Sequence, residues 1–220
     1  GHVTGDRLLA AIANRLLKGQ FQVHQNFLPV GFPGAAKDNP YKFDPAKAKS
    51  ILEKAGLNNL KITLDIINQP PFLDMAQSIQ ASFAQAGVKL EIVPEVGSQF
   101  YSRIRSHGHE AAICFWIPDY FDAHSNASAF AMNRDDGSKT IAWRNGWEIP
   151  ELTDKSEAAV QEKDPAKRAK LDAEIERVVQ KNSPLVVMFQ ATDQVALRNN
   201  VKGYVQGLNA DQVYYERVSK

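Results

Sequence analysis

The chain has 220 residues, 44% of them hydrophobic and 23% charged, with a formal net charge of +1. These proportions exclude a disordered tail and a collagen-like fibre, and they suffice for a buried core in one large domain or two unequal pieces. No long block of like charge is present, so nucleic acid is not an expected partner, and no apolar run reaches the roughly 18 to 20 residues that cross a bilayer. No charged-then-apolar leader opens the chain, and Gly1-His2 reads as a cloning remnant, which leaves the compartment open. The single cysteine, Cys114, excludes an internal disulfide and a multi-cysteine zinc site. Its neighbours in Ala-Ala-Ile-Cys-Phe-Trp predict a buried, unreactive thiol.

The spacing of Leu8, Ile12 and Leu16 predicts a helix over 6–18, ended by Gly19. From Gln20 to Phe43 no period is sustained, and three prolines and two glycines predict a long irregular connection, pinned by packing or functional. Asp44-Pro45 then carries two helix-start signals, a capping carboxylate and a first-turn proline, ahead of Ala48, Ile51, Leu52 and Ala55. Alternation over Lys61–Ile67, a helical pattern through Met75, Ile79 and Phe83, and alternation again at Val88, Leu90 and Ile92 predict a βαβ unit with a parallel pair.

Ala111–Trp116 and Pro184–Phe189 are short apolar runs, expected as strands covered on both faces near the centre of the sheet. Asp164-Pro165 repeats the earlier helix start, before an apolar side of Leu171, Ile175, Val178 and Val179. The mixed charges from Asp154 to Lys170 read as a solvated helical face. Residues 200–220 hold Gly203, Gly207 and one candidate strand at Val213–Tyr215, and fit the α/β pattern less well. The predicted class is α/β, a mixed sheet flanked by helices.

Phosphate-cradling glycine loops and the Gly-x-Ser-x-Gly elbow are missing from the sequence, which removes the local warrant for nucleotide or acyl-transfer chemistry. His107 and His109 are near enough to share a metal, but His-Gly-His on a polar turn reads better as a solvated loop, so neither a metal nor a cofactor is expected. Trp143 and Trp147 read as loop anchors. The most informative stretch is Phe115-Trp-Ile-Pro-Asp-Tyr-Phe-Asp122, where a strand runs into aromatics and two carboxylates. Ligands of open α/β sheets lie at the carboxyl ends of strands.

Three readings of that stretch stay open on the residues alone. It can be a binding mouth, with Trp116 and Tyr120 as walls and Asp119 accepting from a ligand ammonium. It can be a carboxylate-pair hydrolase using Asp119 and Asp122 as acid and base. It can also be a strand exit whose aspartates cap the turn into Ala123–Phe130.

Several stretches in order resemble the C-terminal half of the peptide and nickel class of bacterial ABC-importer substrate-binding proteins. They are Tyr41-x-Phe-Asp-Pro-Ala-Lys-Ala-Lys-x-Ile-Leu-Glu-Lys-Ala-Gly56, Ala76-Gln-x-Ile-Gln-Ala-x-Phe-x-Gln-Ala-Gly-Val88, the tryptophan and aspartate segment, Asp164-Pro-Ala-Lys-Arg168, Ser183-Pro-Leu-Val186 and Val201-Lys-Gly-Tyr204. The resemblance implies one lobe of a two-lobed receptor, periplasmic or otherwise extracytoplasmic, a monomer that carries a small molecule such as a peptide to ABC permease subunits without chemical change. A ligand sensor for signalling is the variant role.

It further implies that residues 3–199 form the second lobe, whereas 200–220 return to an absent first lobe. Asp119, three residues after Trp116, occupies the position that takes a peptide's ammonium in oligopeptide-binding members. Asp122 matches a common acidic position, although Ala123 stands where proline often follows. Arg105 aligns with an arginine that meets a ligand carboxylate.

Overall fold

The computed structural model describes residues 12, 17–134, 137–207 and 212–220. Most of the helix expected over 6–18 therefore lies outside the described residues; its terminator Gly19 has the left-handed φ of +76° that a glycine supplies without strain. Phe21–Val23 then forms a short strand, β1, inside the stretch expected to be irregular. Helix α1 (Pro45–Lys54) starts as predicted, the Asp44 carboxylate accepting from Lys47 N at 2.8 Å. Of its apolar face only Ala48 is buried, and Ile51 is half exposed.

The βαβ unit forms, its first strand with the expected bounds and its second starting one residue later and running on to Glu95. β2 (Lys61–Ile67) and β3 (Lys89–Glu95) pair in parallel, Lys61 opposite Lys89, across α2 (Phe72–Gln85). After α3 (Gly97–Ile104), β4 (Ala111–Ile113) adds in parallel on the other side of β2, giving the order β3-β2-β4. This corrects the expectation that the Ala111 run sits at the centre: β2 is central, and β4 is a three-residue edge strand. The other expected central strand moves too. β5 (Phe189–Ala191) begins where the predicted strand ends, and pairs antiparallel with β1 in a separate sheet.

Two apolar cores result. One holds Leu64, Ile66, Met75, Ile79, Leu90, Phe100 and Ile113, between the parallel sheet and the helices on its two faces. The second is helical, built by α4 (Ala123–Phe130), α6 (Pro150–Gln161) and α7 (Pro165–Asn182) around Phe27, Leu28, Leu152, Ile175 and Val179. Short α5 (Ile141–Arg144) leans on α4. Asp65 is completely buried on β2, its Oδ1 2.8 Å from Arg103 Nε of α3, and burial raises its pKa against the pull of that guanidinium.

The irregular stretch is pinned chiefly by a polar stripe on α7. Arg168, Asp172, Glu176 and Gln180 recur every four residues, so they share one face of the helix. Fully buried Glu176 accepts from Leu28 N at 2.8 Å and Ala36 N at 2.6 Å. Gln180 donates to Gln25 O and to Asn26 Oδ1. Gly34 lies so close that a Cβ there would meet Ala169 O at 2.7 Å and Asp172 Cβ at 2.9 Å, and its φ of +81° suits glycine as well. The expected solvated face at Asp154–Lys170 thus holds on one side only, since Arg168 turns inward.

Residues 191–200 are exposed throughout. Beyond them the expected Val213–Tyr215 strand is reduced to a bridge from Val213 to Gln206, followed by a 3-10 turn at Tyr215–Arg217.

Glu176→Ala leaves a buried donor at Leu28 and a partly buried one at Ala36 without their acceptor and is expected to cost about 2–4 kcal/mol in urea unfolding. Burial raises the Glu176 pKa from 4.5 to about 7 in the fold. Its contribution is therefore complete below pH 4.5 and is lost as pH rises towards 7, so the wild-type advantage over the alanine variant narrows across that window.

Candidate functional site

β4 ends at Ile113, and the next nine residues run along the carboxyl edge of the parallel sheet into α4. The run is not the buried strand its composition predicts. Phe115 is 52% exposed, and Ile117, Tyr120 and Phe121 are each between 45% and 48% exposed. Cys114 is exposed as a residue, which corrects its expected full burial, while desolvation of its thiol raises the pKa and keeps it poorly ionised as expected. Large apolar side chains crowded on one exposed segment mark a surface made to be covered.

Aromatic contacts hold the base of this loop. Phe115 stacks on Phe72 at 6.2 Å, Trp116 meets Phe130 edge-on at 6.1 Å, and Phe121 meets Phe32 at 4.6 Å. Trp116 is half-buried, and its Nε1 has no acceptor among the described residues. Asp119 is fixed through its backbone, its N–H donating to the buried Ser125 Oγ at 2.8 Å, while no side chain among the described residues pairs with its exposed carboxylate. Tyr120 stands beside it, exposed at its outer face. Its phenol is raised above its ordinary pKa first by partial burial, then by the charges of Asp122 and Asp119.

Asp122 is differently employed. Its Oδ1 accepts from His124 N at 2.8 Å, capping α4, and is ion-paired to Arg168 Nη2 of α7. Arg168 Nε also lies 3.9 Å from Asp172 Oδ2, and burial raises the Asp172 pKa to about 6. His124 is lowered by burial against the opposing pull of Asp122. The geometry therefore offers one uncommitted carboxylate, Asp119, instead of the two that an acid and base pair requires.

Arg105 is exposed at the end of α3, its guanidinium 5.2 Å from the Tyr101 ring centre. Its carbonyl accepts from Lys139 Nζ at 3.2 Å, and the Lys139 carbonyl accepts from Arg144 Nε at 2.8 Å. Burial first, and the charge of Arg105 second, lower the Arg144 pKa. Three cations thus gather with no carboxylate ion-paired to them among the described residues. Lys139 and Arg144 had no local signal in the sequence, since 34 or more residues separate them from Arg105 and only folding joins them.

His107 is spent on structure: its Nε2 lies 2.8 Å from Trp143 O and its ring is 4.1 Å from the Trp143 ring. Among the described residues, no group of three or more His, Cys, Asp or Glu is placed to hold a metal ion. No described helix is long and apolar enough to cross a membrane.

A parallel sheet with an aromatic and acidic loop exposed at its carboxyl edge, buttressed by a helical core, is the plan of a solute-binding lobe. The chain belongs to the family described as bacterial extracellular solute-binding proteins, family 5, whose middle region matches residues 9–138. It is 29% identical over 190 residues to di/tripeptide-binding protein 4 of Pseudomonas aeruginosa, covering 80% of this chain and 33% of that one. The dipeptide-binding protein of Escherichia coli is 27% identical over 208 residues, 89% of this chain and 37% of the relative. The chain thus spans about a third of the length of these curated relatives.

Among solved structures, HbpA2 from Haemophilus parasuis superposes with a TM-score of 0.82 at 24% identity, over 96% of this chain and 42% of that chain. The dipeptide-binding protein of a Pseudoalteromonas species in complex with Met-Leu gives 0.78 at 18% identity, over 96% and 43%. The fold is that of one lobe of a periplasmic binding protein, with parallel and antiparallel pairing carried by separate sheets.

Removing the Asp122 cap separates its two tasks. Asp122→Ala is expected to lower stability in urea by about 1–2 kcal/mol, whereas Asp122→Asn, which keeps a side-chain oxygen for His124 N–H, costs less than half of that.

Proposed function

We propose that this chain is the second lobe of an extracytoplasmic receptor that carries a short peptide to an ABC permease without chemical change. The observation that carries the reading is the Asp119 loop: a backbone-anchored carboxylate, uncommitted among the described residues, set among exposed aromatic and aliphatic side chains at the carboxyl edge of a parallel sheet. A carboxylate held in place before the ligand arrives can accept from an ammonium group without first losing an internal partner. Trp116 and Tyr120 supply flat walls, and Asp122 serves the loop from behind.

Arg105, beside Lys139 and Arg144, supplies positive charge for a ligand carboxylate. Ammonium at one pole and carboxylate at the other fit a zwitterion. The relatives named for di- and tripeptides support the same ligand class. In this reading residues 3–199 form the lobe and 200–220 belong with a first lobe supplied elsewhere in the protein. Exposed Val205, Tyr214 and Tyr215 support that placement, because each is a large apolar group left uncovered.

In the full-length receptor, titration calorimetry against a complete library of L-dipeptides is expected to find a binder. Asp119→Asn should weaken that binder by about 10- to 100-fold, the loss of a hydrogen bond to a charged group. Arg105→Gln should weaken the same dipeptide while leaving its C-terminal amide unaffected. Unchanged affinity in Asp119→Asn, or no binder in the library, overturns the proposal. Hydrolysis of the bound dipeptide, abolished by Asp119→Asn, would instead support the carboxylate-pair enzyme.

A further inference from the structure

We infer that Arg168 is a positioning residue for ligand capture, holding the Asp119 loop in register through its ion pair with Asp122. The inference rests on the reading of Asp119 given above and adds a residue that touches no ligand. Its basis is the arrangement of the loop's two ends. At the upstream end Phe115 and Trp116 lean on Phe72 and Phe130, ring contacts that resist withdrawal but leave rotation and sliding cheap. At the downstream end the restraints are directional. Ser125 Oγ accepts from Asp119 N–H, Ser125 N–H donates to Asp122 O at 3.0 Å, and Asp122 N–H donates to Tyr120 O at 2.9 Å. Asp119, Tyr120, Asp122 and Ser125 therefore move as one unit.

Arg168 ties that unit to the body of the lobe. Its guanidinium pairs with Asp122 from the first turns of α7, an 18-residue helix fixed at its far half by Glu176 and Gln180 to residues 25–36. The guanidinium is itself constrained. Asp172, one turn on and 4% exposed, lies 3.9 Å from Arg168 Nε. The groups facing this pair are Asp122 and His124 from α4, Tyr120 from the loop, and Glu157 of α6, whose charge reaches His124. Among the described residues Arg168 is the cation ion-paired to Asp122, so neutralising it frees Asp122 from α7 while keeping its helix-capping bond to His124 N–H.

The distinction from a general structural role lies in coupling. A residue that merely stabilises the lobe weakens binding by the same factor whether or not Asp119 carries charge. A positioning residue loses its effect once the group it positions is gone.

The test uses the full-length receptor and the tightest-binding L-dipeptide from the library, in a double-mutant cycle of Arg168→Met and Asp119→Asn. Arg168→Met is expected to weaken binding by about tenfold in the wild-type background, within the range found for coupled neighbours, and by less than about twofold in Asp119→Asn. Arg168→Lys should restore most of the loss. Asp122→Asn, which cuts the same ion pair from the other side, should reproduce the Arg168→Met loss and decides the matter if Arg168→Met does not fold. Equal losses in both backgrounds, or full affinity in Arg168→Met or Asp122→Asn, overturn the inference while leaving the role of Asp119 intact. Wild-type affinity in Asp119→Asn alone overturns both.

Discussion

The structure depends on a polar stripe along one helix, buried at its middle two residues. Arg168, Asp172, Glu176 and Gln180 stand one turn apart on α7, and each faces a segment with no regular hydrogen bonding of its own. Backbone N–H groups at buried Leu28 and partly buried Ala36 would otherwise be left unpaired, at a cost of a few kcal/mol. Glu176 satisfies both, and its pKa near 7 records the tension between losing water and keeping those bonds. The helix therefore acts as a ruler. It sets where residues 24–41 lie at one end and where the loop after β4 lies at the other.

Opposite constraints meet at that loop. Apolar groups such as Phe115 and Tyr120 stay half exposed although the hydrophobic effect favours covering them, and Asp119 stays uncommitted although a neighbouring cation would stabilise it. Local rules are broken together at one place, and sites that bind are where folded proteins tolerate this. Asp122, three residues on, obeys every local rule: it caps a helix and meets an arginine. The contrast between two aspartates of nearly equal sequence context is one of employment: Asp122 is bound to its own fold and Asp119 is exposed.

Legibility followed interaction range. The Asp44, Asp122 and Asp164 caps were readable because each acts within three residues, and the βαβ unit because its periods are uninterrupted. The run from Ala111 to Trp116 misled, since a strand covered on both faces and a short edge strand feeding an exposed apolar loop have the same composition. Arg168 read as a surface charge in a mixed run for a similar reason: the helical period puts it on a face, but not against a partner 46 residues away. The cations at Arg105, Lys139 and Arg144 meet only across the fold.

By itself the sequence determined the α/β class, the helix starts and the candidate loop with its carboxylates, because these follow from backbone sterics, periodicity and short-range hydrogen bonding. The motif series also carried the family. Tertiary structure decided the order β3-β2-β4, the inward turn of Arg168, the burial of Glu176 and the difference in employment between Asp119 and Asp122. Those outcomes turn on which distant groups desolvate one another, a quantity that spacing along the chain does not contain.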